Sequence, residues 1–239
     1  MEQLNICCKT DIGLVRKTNQ DSVKSVSFSN LNACLVVVCD GIGGLPGGDV
    51  ASDTASSVIC DYFEKNKIVD IKNMILESFK VANEKIIEIS KQNNSPLTYG
   101  TTCVASFVEN TNVHIANVGD SRAYVVSDSN IRQITKDHSV VNELLLKGKI
   151  TEEEAKIAPN KNIITRALGT VDSTPDYYNF CLEKGDKILL CTDGLSNYLS
   201  DGEIYGIVSK NVPEDSLNCL IDKAKSLGGN DNITVSIIF

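Results

Sequence analysis

No stretch of the 239-residue chain approaches the ~18 consecutive apolar residues that a membrane-spanning helix requires. The opening Met1-Glu2-Gln3-Leu4-Asn5 lacks the basic region and apolar core of a secretory leader. Positive charge is also scarce, with 23 Lys and Arg against 31 Asp and Glu and a net charge of −8. No basic stripe interleaved with aromatics is present, which argues against a nucleic-acid partner. Most of the acidity fits a solvated surface. The five prolines are scattered, and no Pro/Gly/Ser-rich linker, charge run, repeat or low-complexity tract divides the chain. The expectation is one domain over residues 1–239, soluble, cytoplasmic and monomeric. Nor does the sequence offer a zinc or disulfide framework. Its nine cysteines are odd in number, Cys7-Cys8 is not C-x-x-C spacing, and neither histidine has a cysteine nearby. Cys34, Cys39, Cys103 and Cys191 sit inside apolar runs, where a reduced thiol acts as a small hydrophobe.

What the chain does have is three apolar runs that each end on an aspartate beside a glycine. Residues 35–39 stop at Asp40-Gly41, residues 188–192 at Asp193-Gly194, and residues 113–118 at Gly119-Asp120. Runs rich in Val, Ile and Leu read as strands buried on both faces. A carboxylate at such a strand end borders a dry core, where an unpaired charge is costly. Asp21 closes the segment 16–21, and Asp231 opens the terminal strand 232–238. Convergent carboxylates repel unless a cation joins them, and oxygen-only donors favour hard ions such as Mg²⁺ or Mn²⁺. Asp-Gly is also a common turn pair, a reading that suits any one of these sites better than it suits three.

Periodicity places strands near residues 4–10, 31–39, 101–109, 113–118, 123–127, 130–135, 177–182, 187–192 and 232–239. Segment 16–21 reads as a loop. Helices are expected at 50–65 and 70–91, the second carrying Ile71, Ile75, Phe79, Ala82, Ile86 and Ile89 on one face, and at 140–147, 151–158, 201–210 and 214–226. The short connections 109–112 and 128–130 predict hairpins. Paired helices followed by a block of strands break the βαβ alternation of a parallel sheet. The fold class is α+β, a sandwich of antiparallel sheets with long helices outside.

Several other features invite chemistry. The glycine run from Gly41 to Gly48 matches G-x-G-x-x-G only up to Pro46, and no Gly-Lys-Ser/Thr follows, so a nucleotide loop is poorly supported. Close packing of backbone around an ion pair explains the glycines better. Arg16 has a guanidinium suited to phosphate, although a lone loop arginine is more often an ordinary surface residue. His138 could act as acid or base or serve as a structural hydrogen-bonder, and His114 lies within a strand pattern. No serine nucleophile elbow and no Cys-x5-Arg loop is present.

Taken in order, several segments resemble the metal-dependent protein phosphatases of the 2C type in their short bacterial form. They are Thr10-Asp11-Ile12-Gly13-Leu14-Val15-Arg16 with Asn19-Gln20-Asp21, and Val38-Cys39-Asp40-Gly41-Ile42-Gly43-Gly44. They continue with Tyr99-Gly100-Thr101-Thr102, Ala116-Asn117-Val118-Gly119-Asp120-Ser121-Arg122-Ala123-Tyr124, Leu190-Cys191-Thr192-Asp193-Gly194-Leu195 and Gly229-Asn230-Asp231-Asn232-Ile233-Thr234. The resemblance implies two antiparallel sheets flanked by helix pairs, a flap subdomain near residues 139–172 that includes Thr165-Arg166-Ala167-Leu168-Gly169, and a dinuclear Mn²⁺ or Mg²⁺ centre at one end of the sandwich. It implies that Asp40 bridges two ions, that Gly41 offers a carbonyl to the second, and that Asp193 and Asp231 complete the first. Asp21 would order metal-bound waters, Arg16 would hold the substrate phosphate, and Asp120 would share a third ion with Asp193. Two positions depart from the pattern: Gln20 stands where some members have Glu, and Ile42 where many eukaryotic members have a His proposed as general acid. The implied reaction is hydrolysis of phosphoserine and phosphothreonine in proteins phosphorylated by a serine/threonine kinase, the kinase itself included. A catalytically weak regulatory relative would be marked by loss of a metal aspartate, and none is lost.

Overall fold

The computed structural model describes residues 3–42, 47–93, 99–158 and 162–239. Ten strands form two five-stranded antiparallel sheets. The strands are β1 (Ile6–Asp11), β2 (Asp21–Phe28), β3 (Ala33–Asp40), β4 (Cys103–Glu109), β5 (Asn112–Val118), β6 (Arg122–Val126), β7 (Ile131–Gln133), β8 (Asp176–Cys181), β9 (Lys187–Cys191) and β10 (Ile233–Ile238). One sheet runs β2-β3-β4-β5-β8 and the other β1-β10-β9-β6-β7. Helices α1 (Gly48–Lys65) and α2 (Ile71–Gln92) accompany the first sheet. Helices α5 (Asp193–Ser196), α6 (Asp201–Val208) and α7 (Pro213–Ser226) accompany the second. Between β7 and β8 lie α3 (Val140–Leu146) and α4 (Glu152–Ile157), close to the two short helices the sequence predicts.

Three cores follow from this layering. Cys34, Val36 and Val38 of β3 meet Val104, Ile115, Ala123, Ile188 and Leu190 between the sheets. The opposite face of β3, carrying Leu35, Val37 and Cys39, packs with Ile59, Phe63, Ile75 and Phe79 of α1 and α2. Leu189 and Cys191 of β9 pack with Leu217, Leu220 and Ile221 of α7. Strands covered on both faces have no reason to alternate, which is why 35–39 and 188–191 are continuous apolar runs. All nine cysteines are free, five of them buried, with Cys181 and Cys219 exposed. Among the described residues no helix is long and apolar enough to cross a membrane.

The sequence reading ends segment 16–21 as a loop and assigns no strand after it, whereas Asp21 begins β2, which pairs with β3 from Asp21↔Asp40 to Phe28↔Ala33. This edge strand is half-buried and places Ser22, Lys24, Ser25 and Ser27 among its apolar residues, so its period is faint. The predicted hairpins are present, β4–β5 turning at Asn110 with φ +55° and β6–β7 with Ser127 accepting from and donating to the turn.

The topology brings six strand ends to one end of the sandwich. β3 ends at Asp40 opposite the start of β2, and β5 ends just before Gly119-Asp120. In the other sheet, β9 ends before Thr192-Asp193 beside the start of β10, with the Thr192 amide donating to the Thr234 carbonyl at 3.1 Å. β1 ends at Asp11 opposite Ile233 and releases the loop that carries Arg16.

Candidate active site

At this end the two sheets present Asp21, Asp40, Asp120, Asp193 and Asp231. A cavity of about 160 Å³ is lined by all of these except Asp21, together with Arg16, Gln20, Gly41, Ile42, Thr102 and Asn232. Asn162 and Ile164 reach it from the segment after α4. Two close approaches need glycine. A Cβ on Gly41 would stand 2.3 Å from the Gly48 carbonyl oxygen, and one on Gly194 would stand 1.8 Å from that of Asn232. The glycines beside Asp40 and Asp193 therefore let neighbouring backbone close around the carboxylates. Residues 43–46 of the glycine run lie outside the described residues.

Hydrogen bonds to backbone and side chains fix the carboxylates in place. The Asp40 amide donates to Thr102 Oγ1 at 3.0 Å, and the Asp40 carbonyl accepts from the Thr102 amide at 2.8 Å. Asp21 is buried, its Oδ2 accepting from Thr234 Oγ1 at 2.7 Å and Thr192 Oγ1 at 2.9 Å, so it joins the two sheets. Asn232 ties down the Arg16 loop, donating to the carbonyls of Ile12 and Thr18 and accepting from the Gln20 amide. Behind Asp120, His138 Nδ1 accepts from the Gly119 amide at 3.2 Å, and the His138 amide donates to the Gly119 carbonyl at 2.9 Å.

The charge balance is adverse. Burial raises the pKa of Asp40 well above the ordinary carboxylate range, and Asp21, Asp193, Asp120 and Asp231 add repulsion. Asp21 is pushed up to about 7 for the same reasons, against the two threonine hydrogen bonds. Asp120 and Asp193 shift upward as well, burial being the larger cause in each and a neighbouring aspartate the next. The cation paired directly with this group is Arg16, whose Nη2 donates to Asp231 Oδ2 at 2.8 Å. Among the described residues, the buried Oδ1 atoms of Asp21 and Asp193 have no hydrogen-bond donor. Buried polar atoms are normally satisfied, so two such carboxylate oxygens within a repulsive cluster fit a cation held between them. The donors are all oxygen, which fits Mg²⁺ or Mn²⁺ and not a thiolate-selecting metal. Among the described residues, no three His, Cys, Asp or Glu side chains form a ready-made cage for one ion. Mg²⁺ does not need one, since it keeps several waters and binds through one or two carboxylates.

Comparisons with known proteins agree with this geometry. A profile of the protein phosphatase 2C family matches residues 15–223. The serine/threonine phosphatase Stp of Listeria monocytogenes serotype 4b is 36% identical over 236 residues, covering 96% of this chain and 93% of the relative.

The chain belongs to the protein phosphatase 2C family.

Among solved structures, Stp1 of Staphylococcus aureus superposes with a TM-score of 0.93 at 36% identity, covering 99% of this chain and 95% of that one. The catalytic domain of the phosphatase PstP, solved with two manganese ions, superposes with a TM-score of 0.87 at 31% identity, covering 98% of this chain and 97% of its own. This phosphatase is thus a hydrolase with the α+β sandwich its sequence predicts.

The structure brings Arg16, Asp40, Gly41, Asp120, Asp193 and Asp231 to one cavity, with Asp21 directly behind. His114 lies away from it, bonded to Tyr177 Oη at 2.6 Å and to Asn112. His138 is buried and lines neither this cavity nor the larger one beside it, its Nε2 facing Asp176 and Arg166 at 3.3 Å. The sequence alone did not single out the supports of the candidate site: Thr102, Thr192, Asn232 and Thr234. The sequence signal for Thr192, Asn232 and Thr234 was adjacency alone, each lying within three positions of Asp193 or Asp231, and Thr102 had none.

Proposed function

We propose that this 2C-type phosphatase hydrolyses phosphoserine and phosphothreonine in phosphoproteins made by a serine/threonine kinase, using two divalent ions, Mn²⁺ or Mg²⁺. The observation that carries the reading is the cluster of five aspartates faced by Arg16, with two buried carboxylate oxygens that have no donor among the described residues. When bound, such ions supply a water nucleophile at neutral pH and neutralise phosphoryl charge.

Asp40 would contribute to both ions, the Gly41 carbonyl to one of them, and Asp193 and Asp231 to the other. Asp120, across the cavity, would share a third ion with Asp193. Asp21 stands behind these donors and orients what lies in front of it through its fixed contacts to Thr192 and Thr234. Arg16 sits on an exposed loop at the cavity mouth, where its guanidinium can leave Asp231 and take two phosphoryl oxygens. Gln20 and Ile42 line the cavity without a carboxylate or imidazole, so neither can pass a proton to the leaving alkoxide. The sandwich and its flanking segment 139–172 would act as one domain, the latter as a flap.

The test is hydrolysis of a phosphothreonine peptide with Mn²⁺, repeated in excess EDTA. Turnover is expected with the metal and none in chelator. Undiminished turnover in EDTA would overturn the metal assignment.

A further inference from the structure

A second cavity, of about 800 Å³, opens beside the first. The two share Asp120 and Asp193, so the larger groove begins at the site itself. One wall comes from α3 and the start of α4, and the facing wall from α5 and the start of α6. Val141 and Leu199 are buried and give the groove an apolar floor, extended by half-buried Leu145 and Ala155. Glu152 and Asp201 are exposed at its edge, one on each wall.

The charges in the groove divide into committed and free ones. Asp137 is held by Arg122, whose Nη2 meets Oδ2 at 2.6 Å and whose Nε donates to both carboxylate oxygens. Asp120 and Asp193 belong to the proposed metal site. Glu152 and Asp201 have no ion pair and no side-chain hydrogen bond among the described residues. Neither is needed to cap its helix. Thr151 and Ser200 occupy the N-cap positions, and Glu154 and Glu203 close the two capping boxes. A first-turn carboxylate gains a little from the helix dipole, but that does not explain why both border one groove. Lys136 is the opposing cation among the described residues of the lining, which leaves two free carboxylates to one ammonium among them.

We propose that this groove receives a lysine or arginine side chain flanking the phosphorylated residue of a protein substrate, its aliphatic stem over Val141, Leu145 and Leu199 and its charged head near Glu152 and Asp201. Long cationic side chains bury their stems on apolar surface while keeping the head in water, and this groove has that division. The inference rests on the phosphatase reading above and adds a substrate class to it.

The experiment compares kcat/KM, with Mn²⁺, on two phosphothreonine peptides that differ only in carrying Lys and Arg or Glu at the flanking positions. An aryl phosphate serves as a third substrate. The basic peptide should be preferred about five-fold, the scale of one half-exposed ion pair. The preference should shrink between about 0.01 M and about 0.15 M ionic strength, as the Debye length falls from about 30 Å to about 8 Å. In the double variant Glu152→Gln, Asp201→Asn the ratio should fall towards one. The ratio is read within each preparation, so any loss of active protein cancels. Equal rates on both peptides with the aryl phosphate still hydrolysed would overturn the groove assignment alone, as would a preference unchanged in the double variant. Failure on all three substrates would overturn the phosphatase reading and the groove assignment with it.

Discussion

Asp21 illustrates how much a single side chain can say about this site. It is buried, one oxygen accepts from two threonines and the other has no donor among the described residues. Its pKa lies near 7 in the folded protein, raised chiefly by burial, against 3.8 in the unfolded chain. Because the folded value is the higher, the folded state binds the extra proton. The stability this allows is fully present below about pH 3.8 and is lost as the pH rises through about 7. At about 1.4 kcal/mol per pH unit of separation, the loss is of order 4 kcal/mol. Asp21→Asn keeps an oxygen for the threonines and replaces the orphaned oxygen with an amide that carries no charge. Urea unfolding in EDTA at pH 5 and pH 8 should therefore show the variant gaining on the wild type as the pH rises. An equal gap at both pH values would mean that Asp21 is charged at pH 5 already.

At the scale of elements, the site depends on α5 starting directly against β10. Gly194 permits this, since a Cβ there would lie 1.8 Å from the Asn232 carbonyl oxygen. Gly194→Ala should cost about 3 kcal/mol, the upper end for overpacking because the obstacle is backbone, and should displace Asp193 from Asp231. Gly206 in α6 meets nothing within 4 Å, so Gly206→Ala should stabilise by about 0.5–1 kcal/mol with turnover unchanged. Urea midpoints and kcat for the pair decide it, and a harmless Gly194→Ala would contradict the close approach. The same elements show what the sequence made legible. Runs 35–39 and 188–191 were readable because both their faces are buried, and α2 because Ile75, Phe79, Ala82 and Ile86 share a face. β2 was not, since an edge strand with serines on both faces has no clean period. Asp40, Asp193 and Asp231 could be singled out as carboxylates at strand ends. The threonine pair holding Asp21 could not, because Thr192 and Thr234 meet it across 171 and 213 residues of chain.

For the molecule as a whole, the carboxylates arrive from different sheets. Asp21 and Asp40 stand at the end of the β2-β3-β4-β5-β8 sheet, Asp193 and Asp231 at the end of the other, and Asp120 in the β5–β6 connection between the two. Without metal their repulsion acts to part the sandwich at this end, opposed there by Arg16 and the Asp21 hydrogen bonds. A cation held by both sheets would reverse the sign of that interaction and bind the folded state only. Ligand at about a hundred times its Kd then adds about 2.7 kcal/mol per site. At about 2–4 °C per kcal/mol for a chain of this size, saturating Mn²⁺ should raise the melting temperature by about 5–10 °C for each ion bound. Asp40→Asn on one sheet and Asp231→Asn on the other should each remove most of that rise, as neither sheet alone retains the donors. In EDTA, Asp40→Asn should instead melt above the wild type, because it removes a carboxyl that burial and the charges of Asp21, Asp193, Asp120 and Asp231 force to take up a proton on folding. Thermal unfolding of the three proteins with Mn²⁺ and with EDTA gives all of these values. A wild-type melting temperature unmoved by Mn²⁺, or an undiminished rise in Asp40→Asn, would show that no ion joins the two sheets.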